Sequence, residues 1–93
     1  MQPELIHRAE RHRFEWEEDG LMNRVDYLTD GVVMVLTHVE VDPGLRGRGV
    51  GSRLMGAVME HVRANGLKVR PVCGFAAAYL QWHQEHADLV ESR

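Results

Sequence analysis

A turn rich in glycine and arginine constrains this chain more than any other segment. It runs from Val41 to Gly51, after an apolar run typical of a strand and before an amphipathic run typical of a helix. At such a junction the first N–H groups of the helix lack partners, and the helix dipole adds roughly half a positive charge. Glycine lets an anion approach the main chain closely. The pattern therefore predicts a strand–turn–helix unit that binds a phosphate.

Two well-known phosphate-binding patterns do not fit this turn. The mononucleotide loop requires Lys-Ser or Lys-Thr after its glycines, and neither pair occurs in the chain. The dinucleotide fingerprint G-x-G-x-x-G begins at Gly47 and Gly49, but Ser52 stands where its third glycine belongs. No acidic residue for a ribose follows about 20 residues later. A third pattern, [Q/R]-x-x-G-x-[G/A], is filled by Arg46, Gly49 and Gly51.

Length, charge and cysteine content exclude several classes of protein. The 93 residues are expected to form a single domain, residues 1–93, with one modest core. The longest apolar stretch, 31–36, is too short to span a membrane, and no signal peptide is evident, so we expect a cytoplasmic protein without a membrane partner. One cysteine excludes an internal disulfide. The net charge of -3 argues against nucleic acid as a partner, whereas arginines clustered at the turn favour one polyanionic ligand.

The first half of the chain has the pattern of a β-sheet. Residues 5–29 alternate weakly and predict antiparallel hairpins, with turns near Asp19-Gly20 and Asp30-Gly31. The run 32–41 is apolar on both faces until His38, as a strand buried on both sides would be. We therefore expect it to be the central strand.

The second half predicts a βαβ crossover followed by a helix. Apolar residues at four-residue steps predict a helix over 50–65 that stops at Asn65-Gly66. A short strand, 68–72, and a second helix, about 74–86, follow. The second helix is expected to carry one apolar side made of Phe75, Tyr79, Trp82 and His86. The fold class is thus α/β, with a mixed sheet of the α+β kind and a right-handed crossover.

With the loop pattern in place, the chain resembles the GNAT superfamily of acetyl-coenzyme A-dependent N-acetyltransferases, and in particular its very short single-domain members. The resemblance covers about residues 12–91. It rests on the run 37–41, the loop, the segment from Lys68 to Cys73 and the closing segment 83–90. It implies a minimal GNAT-like fold, acetyl-coenzyme A (acetyl-CoA) as cofactor and transfer of an acetyl group to an amine. The residues it assigns to cofactor binding are Val41, Arg46, Gly47, Arg48, Gly49, Val50, Gly51 and Ser52.

Three residues are candidates for catalysis. His38 and Glu40 are two apart on one strand and so face the same side. The resemblance implies that the next strand diverges to admit the pantetheine arm, with the thioester near Glu40 and Cys73. Glu40 is the first choice as general base and His38 the second. Alternatively, Glu40 pairs with a basic neighbour, His38 is structural, and Cys73 only packs beside the cofactor instead of accepting the acetyl group as a thioester.

The acceptor cannot be read from the sequence. Only about ten residues separate the first two strands, where larger relatives insert two helices that form much of the acceptor site. The pocket is therefore expected to be open or completed by a partner, such as the second copy in a homodimer. A non-catalytic coenzyme A-binding or sensing module and a protein-interaction domain remain as alternatives. The pair His83 and His86 has metal-ligand spacing but no third ligand, so no metal site is expected.

Overall fold

One sheet with two helices packed against it makes up the structure. The computed structural model describes residues 3–91. The single domain expected from the sequence also includes residues 1, 2, 92 and 93, which lie outside the described residues. The strands are β1 Leu5–Arg8, β2 Arg13–Glu18, β3 Leu21–Thr29, β4 Val33–Glu40 and β5 Lys68–Pro71, and the helices are α1 Val50–Ala64 and α2 Gly74–Trp82. Short 3-10 turns occupy Ala9–Arg11, Pro43–Leu45 and Gln84–Leu89.

The strands follow one another across the sheet in the order β1-β2-β3-β4-β5. The first three pairings are antiparallel, and β4 pairs with β5 in parallel across α1. The mixed α/β sheet and both predicted turns, at 19–20 and 30–31, are therefore confirmed. The prediction that the fourth strand lies at the centre is wrong. The meander places three strands on one side of β4 and only β5 on the other.

Only one face of the sheet is covered, so the prediction of a strand buried on both sides is also wrong. Phe14, Val25 and Leu36 point into the core, where they meet the buried side chains of α1 and α2. The opposite face carries ion pairs such as that between Arg13 and Asp26. Only a 3-10 turn joins β1 to β2, so no helix precedes β2 in residues 3–91. Both helices follow β4 and pack on the same side of the sheet. Nothing in residues 3–91 therefore covers the open face.

The helix predicted after the turn is confirmed as α1. Its buried side chains recur with helical spacing, and its end has the hydrogen bonds of a Schellman motif. Leu67 N–H donates to the Val62 carbonyl (3.0 Å), and Gly66 N–H donates to the Arg63 carbonyl (3.3 Å). Gly66 has a φ of 66°, which favours glycine. The motif turns the chain directly into β5.

The second helix is shorter than predicted and buries a different face. It ends at Trp82, because the Gln84 side chain donates to the carbonyls of Leu80 and Gln81, which a longer helix would use for its own bonds. The buried residues are Ala76, Tyr79 and Leu80. Of the four residues expected on one apolar side, Tyr79 is buried, whereas Phe75 is 44% exposed and Trp82 is 84% exposed.

Candidate functional site

The glycine-arginine turn begins at a buried amide. Asn23, on β3, is 1% exposed, and its Oδ1 accepts a hydrogen bond from Asp42 N–H (2.8 Å) just beyond the end of β4. The Asp42 side chain in turn accepts from Gly44 N–H (2.9 Å) and caps the 3-10 turn that follows. These bonds fix where the chain leaves the sheet, because an unpaired buried amide costs about 1–3 kcal/mol.

Beyond the 3-10 turn, two glycines adopt left-handed conformations. Gly47 has a φ of 81° and Gly49 a φ of 76°, and Gly49 is the N-cap of α1. Both angles strain any residue with a side chain. In residues 3–91, the N–H groups of Gly47 and Gly49 donate no backbone hydrogen bond. The N–H groups of Val50, Gly51 and Ser52 belong to the first helical turn, which has no intrahelical acceptors. The turn therefore presents a cradle of five free N–H donors.

Gly51 has a separate reason to be glycine. It is buried, and a Cβ at this position would lie 2.5 Å from Cζ of Phe75, at the start of α2. The absence of a side chain thus lets the two helix N-termini approach each other. Phe75 was not among the predicted site residues, although it lies directly against the turn. No sequence pattern identifies this contact, because 24 positions separate the two residues.

Two of the three arginines around the turn are paired with the β2–β3 hairpin. Arg53 binds Glu18 and also donates to the Arg48 carbonyl (3.0 Å), while Arg48 lies 3.5 Å from Asp19. The hydrogen bonds from Arg53 and then Trp16 lower the pKa of Glu18. The side chain of Arg46 is exposed and makes no hydrogen bond or ion pair to any described residue. Arg46 is thus the cation most readily available to an anion.

A cleft of about 180 Å³ lies above the turn. Seven of the eight residues predicted to bind the cofactor line it, and Arg48 is the exception. The residues that line the cleft are Val41, Leu45, Arg46, Gly47, Gly49, Val50, Gly51, Ser52 and Phe75. Arg48 is drawn away from the cleft toward Asp19.

The parallel pairing of β4 with β5 stops before β4 reaches the turn. Leu36 and Pro71 are the last paired residues of the parallel ladder. The Leu36 carbonyl accepts hydrogen bonds from both Val72 N–H and Cys73 N–H, each 3.0 Å long. Past this point no backbone hydrogen bond joins the two strands anywhere in 3–91. The polar edge of β4 beyond Leu36 is therefore available to an extended ligand.

His38 and Glu40 lie on the open face of the sheet. The pairing of β3 with β4 shifts by one residue at Thr37, so His38 faces Asp26 and Glu40 faces Arg24. His38 Nε2 lies 3.2 Å from Glu40 Oε1, and Arg24 donates to Glu40 Oε2 (3.1 Å). These two contacts, the histidine bond first, lower the pKa of Glu40. Glu40 is therefore a solvent-exposed carboxylate held by two partners.

Cys73 is the N-cap residue of α2 and stands at the end of β5. It is half-buried and packs against the core. Its thiol therefore lies beside the N-terminal end of α2. The described part of the chain provides no hydrogen bond to the thiol, and the His38 ring is bonded to Glu40 instead. The Cys73 thiol and the His38 imidazole are therefore not paired with each other in this structure.

Neither a metal-binding cluster nor a membrane-spanning helix is found in residues 3–91. Between residues 3 and 91, no group of three or more histidine, cysteine, aspartate or glutamate side chains is placed to hold a metal ion. No described helix combines the length and the apolar composition needed to cross a membrane.

Comparison with known proteins identifies the family. The sequence profile of the GCN5-related N-acetyl-transferase family matches residues 13–89, so the chain belongs to this family. The fold is also similar to the NMR solution structure of a GCN5-like candidate N-acetyltransferase from Staphylococcus aureus, with a TM-score of 0.73 and 28% sequence identity. That match covers 97% of this chain and 89% of the other. The family and the minimal α/β fold suggested by the loop pattern are both confirmed.

The contact between Gly51 and Phe75 can be tested by stability measurements. Gly51→Ala should lower the free energy of unfolding by about 1–3 kcal/mol, because the new Cβ forces the Phe75 ring and the two helices apart. Gly74→Ala is the matched control, since a Cβ there meets nothing within 4 Å. Adding Phe75→Ala should reduce the cost of Gly51→Ala. Denaturant unfolding in which Gly51→Ala and Gly74→Ala behave alike would contradict this account.

Proposed function

We propose that this protein binds acetyl-CoA at the glycine-arginine turn and transfers its acetyl group to an amine. The observation that carries the proposal is the cradle of five free N–H groups, at residues 47 and 49–52, on the turn that follows β4, together with the end of the parallel pairing of β4 with β5. One part of the site suits a pyrophosphate and the other suits the extended pantetheine arm. Membership of the N-acetyltransferase family supports the same reaction class.

Three groups of residues would hold the donor. The free N–H groups of residues 47 and 49–52 would bind the pyrophosphate, and Arg46 would contact an outlying phosphate. Val41 lines the cleft where it turns toward β4. The unpaired edge of β4 would accept hydrogen bonds from the amide groups of the arm. The thioester would supply an activated acetyl group, and all other roles would fall to backbone and side-chain groups of the protein.

Glu40 is the general base in this proposal. An amine attacks a thioester only in its neutral form, so a nearby group must take up its proton directly or through water. The lowered pKa of Glu40 keeps it ionised at neutral pH. Because Glu40 is exposed, a water molecule can relay the proton to it. His38, bonded to Glu40, holds the carboxylate and is the second candidate for this role.

We further propose that Cys73 accepts the acetyl group before the amine does. Its sulfur would form a bond to the carbonyl carbon, the bond from that carbon to the coenzyme A sulfur would break, and the thiol proton would pass to coenzyme A. One thioester replaces another, so the step is nearly balanced in energy. His38 would need to turn from Glu40 to take the thiol proton.

Binding of the donor is tested by thermal unfolding. Acetyl-CoA at a hundredfold excess over Kd should raise the Tm by about 10 °C or more. Gly49→Val should abolish this rise, because it strains the left-handed turn and places a side chain in the cradle. Gly66→Val is the matched control, since Gly66 is also left-handed but lies at the far end of α1. Equal shifts in both variants, or no shift in the wild type, would refute the proposal.

The role of Glu40 is tested by an isosteric change. Glu40→Gln should leave acetyl-CoA binding intact, because Glu40 lies outside the cradle, but should lower turnover about a hundredfold or more. The readout is release of free coenzyme A with a panel of amines. Glu60→Gln, an exposed change on α1, controls for the loss of one negative charge. Full activity in Glu40→Gln would remove this residue from the mechanism.

The covalent step is tested by intact-mass spectrometry. Wild-type protein mixed with acetyl-CoA should carry an acetyl adduct that hydroxylamine removes and that maps to Cys73, the one cysteine of the chain. Cys73→Ala should lose both the adduct and the turnover while retaining the thermal shift in acetyl-CoA. If the alanine variant transfers acetyl groups at the normal rate, transfer is direct and Cys73 is a packing residue.

A further inference from the structure

Helix α2 carries a second apolar stripe that the described residues leave largely exposed. One stripe, formed by Ala76, Tyr79 and Leu80, is buried in the core. The other contains Phe75, Ala78 and Trp82, whose spacing places them along one line of the helix. The Trp82 side chain is 84% exposed. A helix that is apolar on both sides normally has a partner on both, so the outer stripe points to a ligand.

The outer stripe forms one wall of a groove of about 380 Å³, within the range of small-molecule sites. Ser52, Tyr79 and His83 complete its lining. The groove contains no carboxylate, lysine or arginine. Its walls are mainly aromatic, and the Tyr79 and His83 rings are stacked 4.0 Å apart. Such a surface suits a flat, uncharged ring that can stack.

The groove lies next to the cleft above the glycine-arginine turn. Ser52 and Phe75 line both, and Phe75 is held in place against Gly51. A ligand that fills both spaces needs a phosphate at one end and an uncharged aromatic ring at the other. A nucleoside diphosphate has this arrangement. A second copy of the chain is a poorer fit, because standard protein interfaces use about 20–30 residues on each side and the exposed stripe has three.

We infer that the groove between Ser52 and Trp82 binds the purine nucleoside end of the donor, with the base stacked on Trp82. This inference rests on the proposed function, since coenzyme A contains a nucleoside diphosphate. Phe75 forms the boundary between the base and the pyrophosphate. Trp82 thus distinguishes donors that carry a nucleoside from those that do not.

The inference is tested by combining a variant that lacks the Trp82 ring with a ligand that lacks the nucleoside. Trp82→Ala should weaken binding of coenzyme A about five- to hundredfold by isothermal titration calorimetry, which is the usual effect of losing one stacked base. The same variant should bind 4′-phosphopantetheine, which has no nucleoside, within about twofold of the wild type. Gln81→Ala, an exposed neighbour outside the groove, should leave both affinities unchanged. Because Trp82 is exposed, all variants should fold.

Fluorescence gives a direct readout of stacking. The chain has two tryptophans, and Trp16 is buried in the core. Adenosine diphosphate should quench the emission of the wild type. It should not quench Trp82→Phe, in which Trp16 alone emits. The phenylalanine variant should keep its affinity for coenzyme A within about threefold, because a second aromatic ring still stacks.

Several outcomes would overturn the inference. Unchanged coenzyme A affinity in Trp82→Ala would show that the base lies elsewhere. If Trp82→Ala loses equal affinity for coenzyme A and for phosphopantetheine, Trp82 maintains the structure of the site and does not contact the base. A wild-type dimer that Trp82→Ala dissociates, with coenzyme A affinity unchanged, would make the groove an interface between copies. If the wild type binds neither coenzyme A nor phosphopantetheine, the proposed function fails as well. This outcome differs from the preceding three, in which the wild type still binds coenzyme A.

Discussion

The buried amide of Asn23 is the interaction on which the site depends. Its Nδ2 donates to the carbonyls of Trp16 and Leu21, and its Oδ1 accepts from Asp42 N–H. One side chain thereby joins the β2–β3 hairpin to the first residues of the glycine-arginine turn. Without Asn23, three backbone groups in this region would lose a partner. The position of the N–H cradle is thus set by a polar group buried inside the sheet.

The second determinant of the site is the place where the parallel ladder stops. The Leu36 carbonyl takes both N–H groups that follow β5, so β4 continues alone beyond it. The bulge at Thr37 then turns His38 and Glu40 to the open face, away from the helices. The charged side chains of His38 and Glu40 therefore lie on the face of the sheet opposite the core.

The sequence predicted the local features well, because adjacent residues determine them. The turns, α1 with its Gly66 stop, and the cradle itself follow from spacing and from the conformational freedom of glycine. The number of covered sheet faces could not be predicted from the sequence. β4 is apolar on both faces, but valines such as Val35 on its open face are only half-buried, and the residue type does not reveal this. The same limit applies to α2, where both sides are apolar and only packing shows which one is buried.

Long-range partners were also beyond sequence reasoning. Glu18 and Asp19 neutralise two of the arginines at the turn, yet they lie about 30 positions earlier in the chain. Arg24 becomes the partner of Glu40 only through the register of β3 and β4. Phe75 touches Gly51 because two helix N-termini meet, which no spacing rule describes. Each of these contacts depends on tertiary packing rather than on local pattern.

The central claim is that the turn at residues 47–52, through its five free N–H groups, binds the pyrophosphate of acetyl-CoA. The most direct test is a titration of ¹⁵N-labelled protein with acetyl-CoA, followed by amide chemical shifts. The account predicts that the largest saturable changes occur at the amides of 47–52, while Gly66 at the other end of α1 stays unchanged. Saturable changes centred on any other part of the molecule, with 47–52 unaffected, would contradict it.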